Sequence, residues 1–512
     1  MEAAVKTCDC EQKIKSMELL IKHYENQLMM LKRRQFGVSS ERVEIDGQLQ
    51  LSLFGVAESQ PADALLEPEI EEISYKRKKR IGKRDEDLSG LPVERIDYEL
   101  PADKRGCPEC GETMKDIGVD MRRDLKLVPA KVVVVEHATH AYACPNNDCL
   151  NENGNSVIVK ADAPAPLLSG SLASPSLVAH IAVQKYLNAT PLYRLEKGFL
   201  YDGVVISRQN MANWVIKCSM TYLYAFYLLL IKYLRQETVL HADETTVQVL
   251  KEPGRDPQTK SYEWIYRTSG YSERKIVIYD YKETRKREHP AEFLRDFNGY
   301  LHTDGYEVYH GLHPGIIVVG CFAHVRRRWE KLFKSIHKDH RKGTDAERGL
   351  TFINRLFDLE RKFKGLSPPE RYKKRLEESK PIADAFFEWA DKLGTLPKSP
   401  LGEAVHYSLS QRKYLDNVFL DGRTELSNNR AERTVKSFVI GRKNWLFSDS
   451  VEGATASSIM YSIIETAKEN ELHPFRYLKY LLEVLPNSNA SELEAVLPWS
   501  AALPDFCRAS FK

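Results

Sequence analysis

Between residues 237 and 335 the apolar residues change their spacing, and this constrains the fold more than anything else in the 512-residue chain. "ETVLHADETTVQVL", "YEWIYRT" and "KIVIYDY" read as three strands, from their alternation and their β-branched and aromatic content. "PAEFLRDF" reads as a helix starting at Pro290, and "GYLHTDG" as a fourth strand ending at Asp304. "GIIVVG" is a fifth, buried strand, and "CFAHVRRRWEKLFKSI" a second helix.

Three strands, a helix, a strand, a short connection, a strand and a helix is the order of the ribonuclease H-like fold. In that fold the first three strands form an antiparallel meander and the later ones add parallel to the first. The first and fourth strands then lie side by side, which brings Asp243 close to Asp304. Two carboxylates at strand ends can hold divalent cations. Such a pair is a weak signal alone, since "TDG" is also ordinary turn chemistry.

A third acid sits in "LSNNRAERTVK", residues Leu426 to Lys436. Glu432 there lies among cations: Arg423, Arg430, Arg433, Lys436, Arg442 and Lys443 crowd 21 residues. One reading makes Asn429 a helix cap with Glu432 at its third position, a capping-box variant. The other turns Glu432 inward to a metal while the cations hold phosphates. Trp445, in "GRKNW", could stack on an unpaired base, but burial in a core is the commoner fate of a tryptophan.

The rest of the chain supplies binding modules. Residues 1–36 contain a helix with Ile14, Met17, Ile21, Tyr24, Leu28 and Leu31 at coiled-coil spacing, suited to self-association. Residues 37–95 read as a charged linker, in which seven of the nine residues from Lys76 to Arg84 are basic. Within 96–165, "CPEC" and "CPNNDC" place Cys107, Cys110, Cys144 and Cys149 on two knuckles. Four thiolates so paired suit a structural Zn²⁺ in a ribbon, with the strand-like "AKVVVVEHATHAYA" between them. In 166–235, Ser174 can cap a first helix; "TPLYRLEKGFL", the turn "YDGVV" and a helix capped by Ser207 then make a helix-turn-helix candidate. Arg208, Gln209, Asn210 and Asn213 would face outward there, and such residues read base edges.

A formal net charge of +3, from 75 basic and 72 acidic residues, names no partner by itself. The best apolar run, Tyr222 to Leu234, is too short to span a bilayer and contains Lys232. The start "MEAAVKTCDC" has no apolar signal segment. Nine cysteines without such a segment point to reduced thiols or metal ligands rather than disulfides. A cytoplasmic, nucleoid-associated protein is expected.

Several segments, spread from about residue 33 to about residue 482, together resemble a transposase of the insertion-sequence-66 family, of the DDE type. They are "RRQFGVSSER", "CPECG", "HADET", "LHTDGY", "GCFAHVRRRW", "NNRAER", "GRKNWLFSDSVEGA" and "SIIETAKENELHPFRYL". The resemblance implies that Asp243, Asp304 and Glu432 are an acidic triad holding two Mg²⁺ (or Mn²⁺) for in-line phosphoryl transfer. It implies cleavage at the element's ends and joining of the 3′-hydroxyls to target DNA. The two aspartates lie 61 positions apart and Glu432 another 128 beyond, so a helical insertion over 338–420 would split the catalytic core of 236–337 from its last helix in 421–468. A helical region over 469–512 would close the chain. Cys321 and His324, in "CFAH", resemble a Cys-x-x-His element near such sites. Arg326, Arg327, Arg430, Arg433, Lys436, Arg442 and Lys443 are expected to contact DNA. Joining two ends calls for at least a dimer, and relatives commonly travel with small accessory proteins. Ser427 stands where relatives often carry aspartate. A catalytically inactive DNA-binding regulator, a nuclease that never joins, and a tyrosine recombinase are the competing readings.

Overall fold

The computed structural model describes residues 44–45, 48–49, 131–143, 158–162, 165–396 and 398–509. The expected N-terminal helix, the basic stretch and the four paired cysteines lie outside them. The chain divides into two compact units, Met1–Ala62 and Asp63–Lys512. In the first, β1 (Glu44–Ile45) and β2 (Gln48–Leu49) form an antiparallel pair.

In the second unit, β3 (Ala141–Ala143) pairs antiparallel with β4 (Ile158–Lys160). The strand expected across "AKVVVVEHATHAYA" is confined to its last three residues. Residues 131–140 take no regular structure, and Val133, Val134 and Val135 are exposed. Three helices follow, α1 (Pro175–Tyr186), α2 (Leu192–Tyr201) and α3 (Arg208–Cys218). Both expected caps form: Leu177 N donates to Ser174 Oγ and Asn210 N to Ser207 Oγ, each at 3.2 Å. Gly203, at φ +79°, makes the turn between α2 and α3. A π-helical turn, Ser219–Leu223, then carries α3 straight into α4 (Tyr224–Arg235).

This corrects one expectation. The continuous helix Arg208–Arg235, 28 residues, is long and apolar enough to cross a membrane by length and composition. The sequence reading missed it by measuring only the apolar run and not the helix leading into it. Cys218, Leu223, Phe226, Leu230 and Leu234 on this helix are fully buried in the protein core.

The sheet has the expected order. Strands β5 (Val239–Lys251), β6 (Lys260–Thr268) and β7 (Val277–Lys282) are antiparallel, and α5 (Glu288–Phe293) follows them. Then β8 (Gly299–His302) pairs parallel with β5, and β9 (Ile316–Val319) parallel with β8. Two boundaries differ from the sequence reading. Helix α5 starts at Glu288, before Pro290, whose missing N–H falls in the first turn where no intrahelical partner exists. Strand β8 ends at His302, and Asp304 sits beyond it in a turn where Tyr306 N donates to Asp304 Oδ1 at 3.0 Å.

Helices α6 (Phe322–Ser335), α7 (Asp345–Lys362), α9 (Lys380–Asp391) and α10 (Pro400–Leu415) build a second core around Trp329, Ile353, Leu356, Phe386 and Phe387, and α8 (Pro368–Lys374) follows α7 in the chain. A π-helical turn, Arg375–Ser379, joins α8 to α9. The chain returns to the sheet with α11 (Asn429–Trp445), β10 (Ser448–Ser450), α12 (Val451–Glu469) and α13 (Pro474–Val484). Strand β10 pairs parallel with the far end of β5, Ser448 opposite Val249. Helix α12 is apolar on most sides and packs on β7. Its hydroxyls meet the backbone of that edge strand: Val277 N donates to Thr466 Oγ1 at 3.0 Å and Tyr279 N to Ser462 Oγ at 2.8 Å.

Candidate active site

Register brings the first two acids together. His241 of β5 lies opposite His302 of β8 in the parallel ladder, and Asp243 and Asp304 each lie two residues beyond. The two imidazoles stack at 4.5 Å between centroids. Both aspartates are half-buried, and Glu244 N donates to Asp243 Oδ1 at 2.8 Å.

Glu432 arrives from α11. The capping-box reading does not hold: Asn428 occupies the cap position, Asn429 is the first helical residue, and Glu432 lies one place further along. Asn428 turns away from its helix. Its Oδ1 meets His241 Nδ1 at 2.9 Å, and its Nδ2 donates to Ala242 O at 2.8 Å. That pair of bonds fixes the start of α11 to the strand carrying Asp243. Glu432 is 7% exposed. Arg327 Nη2 donates to its Oε2 at 3.3 Å, while His324 Nδ1 stands 3.8 Å from its Oε1.

The electrostatics are those of crowded acids. Burial holds the Asp243 carboxyl well above the usual range, and the charges of Glu244, Asp304 and Glu432 push it the same way. Glu244 is raised by burial and by Asp304, against the opposing pull of Arg285 and Tyr309. Burial raises Glu432 too, while Arg327 offsets part of the rise. Burial lowers His324 to about 4 and, with Glu432, raises the Cys321 thiol to about 12. The reactive atoms of Cys321, His324 and Glu432 all lie within 4.8 Å of one another.

Arg433, Lys436 and Lys443 are exposed along α11, as are Arg208, Gln209, Asn210 and Asn213 on α3. Side-chain bonds within the protein hold Arg326, Arg327, Arg430 and Arg442. Arg326 bonds to Asn354 and Glu330, Arg327 to Glu432, Arg430 Nε to Glu425 at 2.6 Å, and Arg442 to Thr246. Trp445 packs edge-on against Tyr186, so it sits with the core.

Sequence reasoning missed Glu244, although it adjoins Asp243 in "HADET". It also missed a buried layer behind the acids: His241, His302, Glu425 and Asn428. Glu425 N donates to His302 Nε2 at 3.0 Å, and Glu425 Oε1 lies 3.5 Å from His241 Nε2. Burial pushes the Glu425 carboxyl up, but His241, Arg430 and the Gly270 N–H outweigh it and hold it well below the usual range.

The sequence matches the description "Transposase IS66 family" over residues 170–456, more than half its length. It matches the family's zinc-finger binding domain over 104–146, which takes in Cys107, Cys110 and Cys144, and its C-terminal element over 462–499. A segment described as "Transposase C of IS166 homeodomain" matches 23–96, where apolar spacing suggested a helix and charge a linker. Among curated proteins, uncharacterized protein y4qI of Sinorhizobium fredii is 31% identical over 494 residues, covering 92% of this chain and 88% of that protein. Uncharacterized protein y4hP of the same organism is 27% identical, covering 93% and 88%. The chain belongs to the IS66 transposase family.

Proposed function

We propose that this chain is a DNA transposase that cuts the ends of its element and joins the freed 3′-hydroxyls to target DNA, on a ribonuclease H-like core. The observation that supports this reading is the parallel register that sets Asp243 beside Asp304, with the charge of Glu432, from far along the chain, also acting on Asp243. Their donor set is all oxygen, their like charges oppose one another, and Glu432 Oε1 has no hydrogen-bond partner among the described residues. These features fit a hard divalent cation. Asp243, Asp304 and Glu432 would hold it, with Glu244 alongside. Mg²⁺ or Mn²⁺ supplies a Lewis acid that acidifies water or a 3′-hydroxyl and stabilises the leaving 3′-oxygen.

The protein's own residues do the rest. The stacked histidines, Glu425 and Asn428 hold the two aspartates and α11 in fixed relation. Arg433, Lys436 and Lys443 would track phosphates along the exposed face of α11. Arg208, Gln209, Asn210 and Asn213 would read the terminal repeats. Cys107, Cys110, Cys144 and Cys149 would hold a structural Zn²⁺. Two copies would bring two ends together.

The test uses the full chain, a labelled duplex carrying one element end, and Mg²⁺. Wild type is expected to nick and to join. Asp243→Asn, Asp304→Asn and Glu432→Gln are each expected to bind the duplex yet do neither, falling to the level of the triple variant. Equal reaction by wild type and Glu432→Gln would overturn the reading.

A further inference from the structure

Two buried polar atoms at the start of α6 and α11 face each other, neither with a hydrogen-bond partner among the described residues. They are His324 Nδ1 and Glu432 Oε1, 3.8 Å apart. That separation is too long for a hydrogen bond, so the imidazole and carboxylate do not satisfy one another. Leaving such atoms unmet costs about 1–3 kcal/mol each. The third group beside them is the Cys321 sulfur, and all three ligand atoms lie within 4.8 Å of one another.

We propose that Cys321, His324 and Glu432 form a binding site for a borderline-soft divalent ion such as Zn²⁺, and that the ion, once bound, withholds Glu432 from the two aspartates. A thiolate, an imidazole and a carboxylate are ligands that Zn²⁺ accepts together, whereas Mg²⁺ selects oxygen alone. The backbone supports the site. Cys321 caps α6 and His324 lies three residues on, so both project from one end of one helix. Phe322 N donates to Leu426 O at 3.0 Å, which ties that end to the loop entering α11. Asn428 N donates to Cys321 Sγ at 3.2 Å, a bond that favours the thiolate. Binding releases the thiol proton to solvent. The inhibitory consequence rests on the reading of Glu432 as the third acid; the metal site itself does not.

The experiment counts metal on the full chain. After Zn²⁺ loading and removal of free ion, Cys321→Ser and His324→Gln are each expected to carry one equivalent less zinc than wild type. Equal zinc in wild type and both variants overturns the site. Should the variants fail to fold by circular dichroism, wild type is loaded with one equivalent of zinc and titrated with Co²⁺. A further cobalt with a thiolate-to-metal charge-transfer band supports the site, and no such band overturns it. In the cleavage assay with Mg²⁺, added Zn²⁺ is expected to suppress wild-type nicking far more than it suppresses nicking by the variants. Equal suppression overturns the withholding of Glu432. A chain that gains the extra zinc but never cuts DNA with Mg²⁺ alone refutes the transposase reading and leaves the site standing.

Discussion

Asn428 shows how much of the candidate site hangs on one amide. It meets the His241 ring and the Ala242 carbonyl, both fully buried. Asn428→Ala leaves both groups unmet, at about 1–3 kcal/mol apiece, and the variant is expected to lose stability of that order in urea denaturation. Asp280 on β7 offers a test in pH. Burial raises its carboxyl from 3.8 to about 6, against the pull of Lys282. The unfolded chain therefore gives up this proton near pH 4 while the folded chain keeps it to about pH 6. The favourable contribution is complete below about pH 4 and is lost as pH rises through about 6. Two pKa units correspond to roughly 3 kcal/mol. Asp280→Asn should be the more stable protein at pH 7 by up to that amount, with the gap closing near pH 4; denaturation midpoints at the two pH values check it.

At the scale of elements, what was legible was local. Period-two alternation and β-branched or aromatic content marked β5 to β7, a short apolar run marked β9, and Ser174 and Ser207 announced their helices. What was not legible depended on partners far along the chain. Helix α10 mixes polar and apolar residues in "YSLSQRKYL" and takes its stability from the helices it packs against. Arg326, Arg430 and Arg442 look like phosphate ligands in sequence, because nothing local reveals that Asn354, Glu425 and Thr246 wait for them. Glu244 was overlooked because its role comes from Asp304 and Arg285, not from its neighbours in the chain. The contact between α6 and α7 offers a test where propensity and packing disagree. A Cβ on Gly349 would fall 2.2 Å from the Trp329 ring, which cannot swing aside because its Nε1 donates to Ser408 Oγ at 3.0 Å. Alanine gains about 1 kcal/mol of helix propensity, but overpacking costs about 1–3. Gly349→Ala is therefore expected to lower the thermal midpoint despite the better helix former.

At the largest scale, the helices between β9 and α11 are bolted to the loop that leads into α11. Arg375 is fully buried and meets Glu360, Val418 O, Asp421 O and Thr424, and Arg371 reaches Thr424 O beside it. Glu360 is the carboxylate that balances both guanidiniums. Glu360→Gln leaves them short of counter-charge, and breaking such a pair costs about 3–5 kcal/mol; the loss should appear as a lowered unfolding midpoint. The two outer strands of the sheet share a different property. Helix α12 sets its hydroxyls against β7, and Asn417 Nδ2 donates to Val318 O of β9 at 2.7 Å. Along β7 the Val277 and Tyr279 amides are thus engaged by side chains, and on β9 the Val318 carbonyl is. A second copy would find little open ladder along β7 on which to add a strand.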